Sequence, residues 1–246
     1  MGLSVTVLGC SGTYASAAGA CSGYLVRSDN TNVWLDCGPG TLANLQRHVG
    51  LAELDAVVVS HSHPDHWLEL PVLRNALKYV LKIEGLRVLG TAETERLANV
   101  VCGDGLAPTM SWETIGDGDR SVIGDLELRF SRTDHPVETL AVRIDHDGQT
   151  LGYTADTGPA WSLASLDEDG TGFDLALCEA TLGPGDEGTV QHCSARQAAT
   201  MATEAGVRHL MLTHLMAGTA DDRRQEAAAA YAGPITIATI NERYDA

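Results

Sequence analysis

Residues 57–66 read Val-Val-Val-Ser-His-Ser-His-Pro-Asp-His. An apolar run with the character of a buried strand ends there, and four potential metal ligands, His61, His63, Asp65 and His66, follow within six residues. Imidazole and carboxylate donors suit zinc and similar divalent cations. In extended chain, residues i and i+2 point the same way, so His61 and His63 can hold one cation together. The chain then turns at Pro64, which lets Asp65 and His66 face a second. Single histidines are usually structural, but four ligands at H-x-H-x-D-H spacing behind a hydrophobic strand are a poor fit to chance.

The rest of the 246-residue chain supplies many strands for such a site to stand on. Short apolar runs, rich in β-branched residues and flanked by Gly or Asp, recur at 5–8, 24–26, 33–35, 56–59, 86–89, 126–130, 140–144, 175–178, 210–212 and 235–237. Asp147-Gly148 between 140–144 and 149–153 is a hairpin signal. Leu73, Ala76, Leu77, Val80 and Leu81 follow the helical period, which predicts an amphipathic helix. Ser194 and Gln197 have capping-box spacing, with Gly206 placed to close that helix, and an Ala-rich helix is expected over 222–231. No Pro/Gly/Ser linker or charge block divides the chain, so 1–246 reads as one domain.

Lys plus Arg number 16 against 33 Asp plus Glu, a formal charge of −17. That balance disfavours a folded nucleic acid as partner, since such binding rests on basic surface. No apolar run is long enough to span a membrane. The segment from Met1 to Val7 reads as a first strand rather than a signal peptide. The six cysteines show no C-x-x-C spacing and read as reduced thiols, which points to the cytoplasm.

The H-x-H-x-D-H motif resembles that of the metallo-β-lactamase superfamily, whose remaining ligands follow successive strands. Here His135 in Asp-His-Pro, Asp156 in Thr-Ala-Asp-Thr-Gly and His214 in Leu-Thr-His match them in order. The resemblance implies an α/β fold, the αββα four-layer sandwich of two mixed β-sheets flanked by helices. It also implies two divalent cations, zinc ahead of manganese or iron. His61, His63 and His135 would bind one, Asp65, His66 and His214 the other, and Asp156 would bridge them. Two cations a few Å apart need an anionic bridge. They would share a water and lower its pKa to make a hydroxide nucleophile, which Asp65 could orient.

Within that superfamily, His63 stands where the redox branch has Glu, and Asp156 where some β-lactamases have a cysteine ligand. Glu179-Ala180-Thr181, followed 13 residues later by His192-Cys193-Ser194, resembles the E-A-T and H-S-T segments of ribonuclease Z-like phosphodiesterases. The resemblance implies that His192 protonates the leaving oxygen and Glu179 orients it, although Cys193 and Ser194 depart from the pattern. Transfer-RNA-processing members carry a long arm between the third His ligand and the bridging Asp. Only 21 residues separate His135 from Asp156 here, filled by the one hairpin. The expectation is therefore a small-molecule phosphodiester substrate, a nucleotide or cyclic nucleotide, with no membrane partner. A homodimer is expected by resemblance alone. An ester, thioester or lactone hydrolase is the alternative enzyme, and a non-catalytic metal-binding regulatory module the alternative outside catalysis.

Other features carry less. The Leu8–Thr13 turn (Leu-Gly-Cys-Ser-Gly-Thr) offers amides that could lie near the metals and contact a phosphate or ribose. Tyr14, Trp67 and Trp161 are candidate pocket aromatics. The single Asp156-Thr157-Gly158 triplet lacks the second copy an aspartic protease needs. His48, His146 and His209 read as structural or surface residues.

Overall fold

The computed structural model describes residues 2–17 and 19–246; Met1, which opens the stretch read as a first strand, lies outside them. In the first half of the chain come β1 (Ser4–Gly9), β2 (Gly23–Arg27), β3 (Asn32–Cys37), α1 (Thr41–Leu45), β4 (Ala56–Val59), α2 (Pro64–Trp67), α3 (Leu70–Asn75), β5 (Leu86–Gly90), α4 (Ala92–Cys102) and β6 (Met110–Thr114). The second half carries β7 (Arg120–Ile123), β8 (Leu126–Arg132), β9 (Leu140–His146), β10 (Gln149–Tyr153), β11 (Phe173–Glu179), α5 (Ala195–Glu204), β12 (Val207–Thr213), α6 (Ala220–Ala228), β13 (Ile235–Ile237) and β14 (Arg243–Asp245). The strands form two seven-stranded mixed sheets, ordered β14-β1-β2-β3-β4-β5-β6 and β13-β12-β11-β10-β9-β8-β7.

Side chains alternate across a strand, and here the alternation sorts the apolar residues into separate cores. Val33, Leu35, Ala56 and Val58 of the first sheet meet Leu175, Leu177 and Met211 of the second in a core between the sheets. Their neighbours Trp34, Val57 and Val59 face Leu42, Leu70, Leu73 and Ala98 on the helices of the first half. Ala176, Cys178, Leu210 and Leu212 face Ala195, Ala198, Ala202 and Ala227 on α5 and α6. Both faces of each central strand are thus buried between apolar layers, giving the helix–sheet–sheet–helix sandwich.

Asp147 and Gly148 both take positive φ (47° and 79°) in the tight β9–β10 turn, and His146 pairs with Gln149 across it. Ser194 Oγ accepts from Gln197 N–H, and Ser194 N–H donates to Gln197 Oε1. The helix expected over 73–81 is different: α3 stops at Asn75 and residues 76–81 continue in wider π-helical turns. The wider turn changes the phase of the stripe. Leu77 stays buried, while Val80 and Leu81 rotate to the surface at 75% and 41% exposure. Strands β6, β7 and β14 and helices α1 and α4 are additional to the elements expected from the sequence. All three strands lie at sheet edges and carry mixed or exposed faces, so they lack an apolar signature. No helix among the described residues is long and apolar enough to cross a membrane.

What positions the site is strand direction. β3, β4 and β5 run parallel, as do β10, β11 and β12. Their carboxyl ends, together with the loop after β8, converge on one edge of the sandwich, where ligand sites of α/β sheets form.

Candidate metal centre

Most of the chemistry-bearing residues sit at or just beyond strand ends at that edge, and His192 comes from the loop between β11 and α5. The loop after β4 carries His61 and His63, and α2 opens on Pro64 with Asp65 and His66 in its only turn. Three non-glycine residues near strand ends there hold left-handed φ: Asp36 at 54°, Ala155 at 50° and His214 at 55°. Each costs of order 1–2 kcal/mol. Such strain persists where the surrounding structure overdetermines it, and it collects at functional sites.

The structure brings all seven expected ligands together in two groups. His61, His63, His135 and Asp156 form one, and Asp65, His66 and His214 the other; within each group the ligating atoms lie within 4.8 Å of one another. Asp156 faces both groups, one oxygen each. Its Oδ2 is 3.7 Å from His61 Nε2 and 3.9 Å from His135 Nε2. Its Oδ1 is 3.3 Å from His66 Nε2 and 3.5 Å from His214 Nε2. Asp65 Oδ2 completes the second group, 3.3 Å from His214 Nε2 and 3.6 Å from His66 Nε2.

This donor set fits divalent cations. His61 Nε2 and Asp156 Oδ1 are buried with no hydrogen-bond partner, a costly state unless something else satisfies them. Burial, chiefly, holds His61, His63 and His135 below the usual imidazole range, in the neutral form a metal takes. Burial also opposes charge on His66 and Asp156. The Asp156 and Asp36 carboxylates nonetheless lift His66 well above its usual range, and the His214 and His66 imidazoles hold Asp156 well below its own.

Behind the ligands lies a set of partners that orients the imidazoles of His61, His66, His135 and His214. Asp36 is fully buried. Its Oδ2 accepts from His66 Nδ1 at 2.7 Å, from Ser60 Oγ at 2.8 Å and from Tyr153 OH at 2.7 Å, while Oδ1 accepts from Ser60 N–H. Ser60 Oγ in turn accepts from His61 Nδ1 at 2.9 Å, so one carboxylate steers a ligand in each group. The Gln191 carbonyl accepts from His135 Nδ1 at 3.0 Å. We expect Asp36→Asn to weaken zinc affinity about 10–100-fold, read by competition with a chromophoric chelator. Native affinity would contradict the orienting role.

Glu179, at the end of β11, serves two histidines. Its Oε1 accepts from His192 Nδ1 at 2.7 Å, and from Thr157 and Cys193 N–H. Its Oε2 accepts from Thr181 N–H and Oγ1, and Thr181 Oγ1 accepts from His214 Nδ1 at 2.8 Å. His192 stacks on His214, with ring centroids 5.6 Å apart, and meets His135 edge-on. Burial pulls the His192 imidazolium down, but the Glu179 hydrogen bond and charge outweigh it and lift the group to about 9. The shift favours the imidazolium form of His192, which lies beside both ligand clusters.

Asp36, Ser60, Tyr153 and Thr181 are not among the site residues that the sequence singles out. Thr181 closes the Glu-Ala-Thr segment and Asp36 stands in Leu-Asp-Cys-Gly at a strand end; neither pattern by itself names a partner. Trp67 and Trp161 are buried, their indole N–H groups bonded to Ser62 O and Ser131 Oγ, so they pack rather than line the cavity. Tyr14 is 56% exposed. The amides of the glycine-containing turn are mostly spent within the protein: Cys10 and Ser11 N–H on Ala20 O, and Gly12 N–H on Leu215 O. His48, His146 and His209 are bonded to Asn241, Asp125 and Thr236, away from the site.

Close backbone approach also shapes the centre. A Cβ on Gly38 would lie 1.9 Å from the Asp65 carbonyl oxygen. Backbone cannot yield as a flexible side chain does, so Gly38→Ala is expected to cost about 1–3 kcal/mol and to reduce metal content together with thermal stability. A native melting curve with native metal content would show that this approach is not needed. Beside the clusters lies a cavity of about 330 Å³, lined by Thr13, His63, Pro64, Asp65, Asp156, His192 and His214.

A family model described as beta-lactamase superfamily domain matches residues 31–215. The probable metallo-hydrolase YhfI of Bacillus subtilis is 33% identical over 248 residues, covering 96% of this chain and 97% of that protein. The crystal structure of YhfI, a metallo-beta-lactamase fold protein, superposes with a TM-score of 0.89 at 29% identity over the full length of both chains. A ribonuclease Z of Haloarcula marismortui is 25% identical over 301 residues, covering 97% of this chain and 95% of that protein. With the two-sheet sandwich and the His/Asp clusters at its edge, these likenesses place the chain in the beta-lactamase superfamily, among its metallo-hydrolases.

Proposed function

We propose that the chain is a dinuclear, zinc-dependent phosphodiesterase acting on a small nucleotide or cyclic nucleotide. The observation that carries this is the Glu179–His192 pair, 2.7 Å from carboxylate to imidazole, opening on the same cavity as the ligand clusters. Bound cations would lower the pKa of a shared water and polarise the ester. Asp65 would hold and orient that water while serving as a ligand. Breaking a phosphodiester expels an alkoxide, a poor leaving group that needs a proton as it departs. His192, with Nδ1 committed to Glu179, would deliver that proton from Nε2. The other Glu179 oxygen steadies His214 through Thr181, so donor and ligand keep a common register.

Relatives and charge support the substrate class. The sequence relative named ribonuclease Z belongs to a class that breaks phosphodiester bonds. Among the described residues no Lys or Arg lines the cavity, and the chain carries −17 overall, so a long polyanion has little counterion release to gain here. A compact substrate with one charge at the reacting ester suits a cavity of about 330 Å³. The test is a panel on zinc-loaded protein: a bis-aryl phosphodiester, cyclic nucleotides, a lactone and a thioester. Turnover of the phosphodiesters is expected. Turnover confined to the carbonyl esters would refute the phosphorus assignment.

A further inference from the structure

We propose that Thr13 is a substrate-contacting residue, its hydroxyl and amide together offering a neutral donor pair to an oxygen of the bound ester. His63, Asp65, Asp156 and His214 belong to the ligand clusters, His192 is bonded to Glu179, and Pro64 brings no side-chain polar group. Thr13, an exposed residue of the cavity wall, has no role in the ligand clusters or the Glu179–His192 pair, and neither its hydroxyl nor its amide has a partner among the described residues.

The backbone holds Thr13 in place for this task. Its φ is 64°, a left-handed conformation that is an outlier for a β-branched residue. The residues on either side are tied down, Gly12 N–H to Leu215 O at 3.1 Å and Tyr14 N–H to Gly12 O at 2.7 Å. Ser11 bridges to Leu215. Gly12 lies so close to a ligand residue that a Cβ there would be 2.7 Å from His214 O. Thr13 is thus anchored one residue from the backbone contact with His214. Because the donor is neutral, it binds an oxygen without adding charge beside the cations, and it does not favour substrates bearing extra phosphates as a lysine would.

The proposal rests on the hydrolase reading but not on phosphorus. The experiment compares Thr13→Val, which keeps shape and branching but loses the hydroxyl, with Thr13→Ser, which restores it. Each is assayed for kcat, KM, metals per chain and melting temperature on the best substrate of the panel. Thr13→Val should lose roughly tenfold in kcat/KM, the value of one hydrogen bond to a charged oxygen, with native metal content and melting. Thr13→Ser should return most of it. Native kinetics in Thr13→Val would overturn the proposal. So would equal losses in both variants accompanied by lost metal or stability, which would mark a structural role. Wild-type turnover of carbonyl esters alone would sink the phosphodiester reading and leave the Val/Ser comparison decisive. A wild-type chain inactive on every ester would overturn both.

Discussion

Asp156→Ala is expected to empty the centre of metal and to abolish hydrolysis. The carboxylate divides itself between the clusters, Oδ2 facing His61 and His135, Oδ1 facing His66 and His214. Asp65, the other carboxylate in the two groups, belongs to the second alone. Without Asp156, two like charges a few Å apart would lose their shared anion, and the first group would keep three neutral imidazoles. We expect metals per chain to fall from two towards one or none, and turnover to fall by about 10³-fold or more, beyond the 10²–10³ that one preorganised electrostatic contact is worth. Ligands that bind only the native state raise its stability by mass action. Added zinc should therefore raise the melting temperature of the native chain much more than that of the variant. A variant with two metals and native turnover would overturn the bridging role.

The second large effect belongs to His192→Ala, and its signature is selectivity. A general acid contributes roughly 10²–10⁴-fold when the leaving oxygen is a poor leaving group. It contributes little when an activated phenol departs without help. The variant should therefore lose about that much on a cyclic nucleotide or dialkyl phosphodiester, yet stay within a few fold on a nitrophenyl ester. Glu179→Gln should follow the same pattern more weakly, because it removes the charge that holds the His192 proton. It should also lose metal affinity, since the same side chain backs His214 through Thr181. Equal losses of His192→Ala on both substrate types would remove the proton-donor role and leave His192 as a structural neighbour of His214.

What could be read in the chain itself follows from how local each signal is. The ligand residues sit at strand ends in short motifs, and the strands bearing them are buried on both faces, so they stand out as apolar runs. Asp36 could not be read this way. Its importance comes from contacts with His66, Ser60 and Tyr153, 24 to 117 residues away in sequence, which no local pattern encodes. The edge strands Met110–Thr114, Arg120–Ile123 and Arg243–Asp245 are illegible for the opposite reason: they face solvent and carry charge, as edges do. The helix over 73–81 had the right period for an α-helix, but the π-helical turns from Ala76 to Leu81 displaced Val80 and Leu81 from the face that the period assigned them. Thr13 was one of a run of turn residues in the sequence. Only the folded turn shows that its neighbours' amides are spent and its own is not.

The most direct test of the account is a titration of metal-free protein with zinc, counting bound metal per chain while following turnover of a bis-aryl phosphodiester in the same sample. Two metals per chain at saturation are predicted, with activity rising as the second binds. Full activity with one metal per chain, or turnover in the chelated protein, would contradict it.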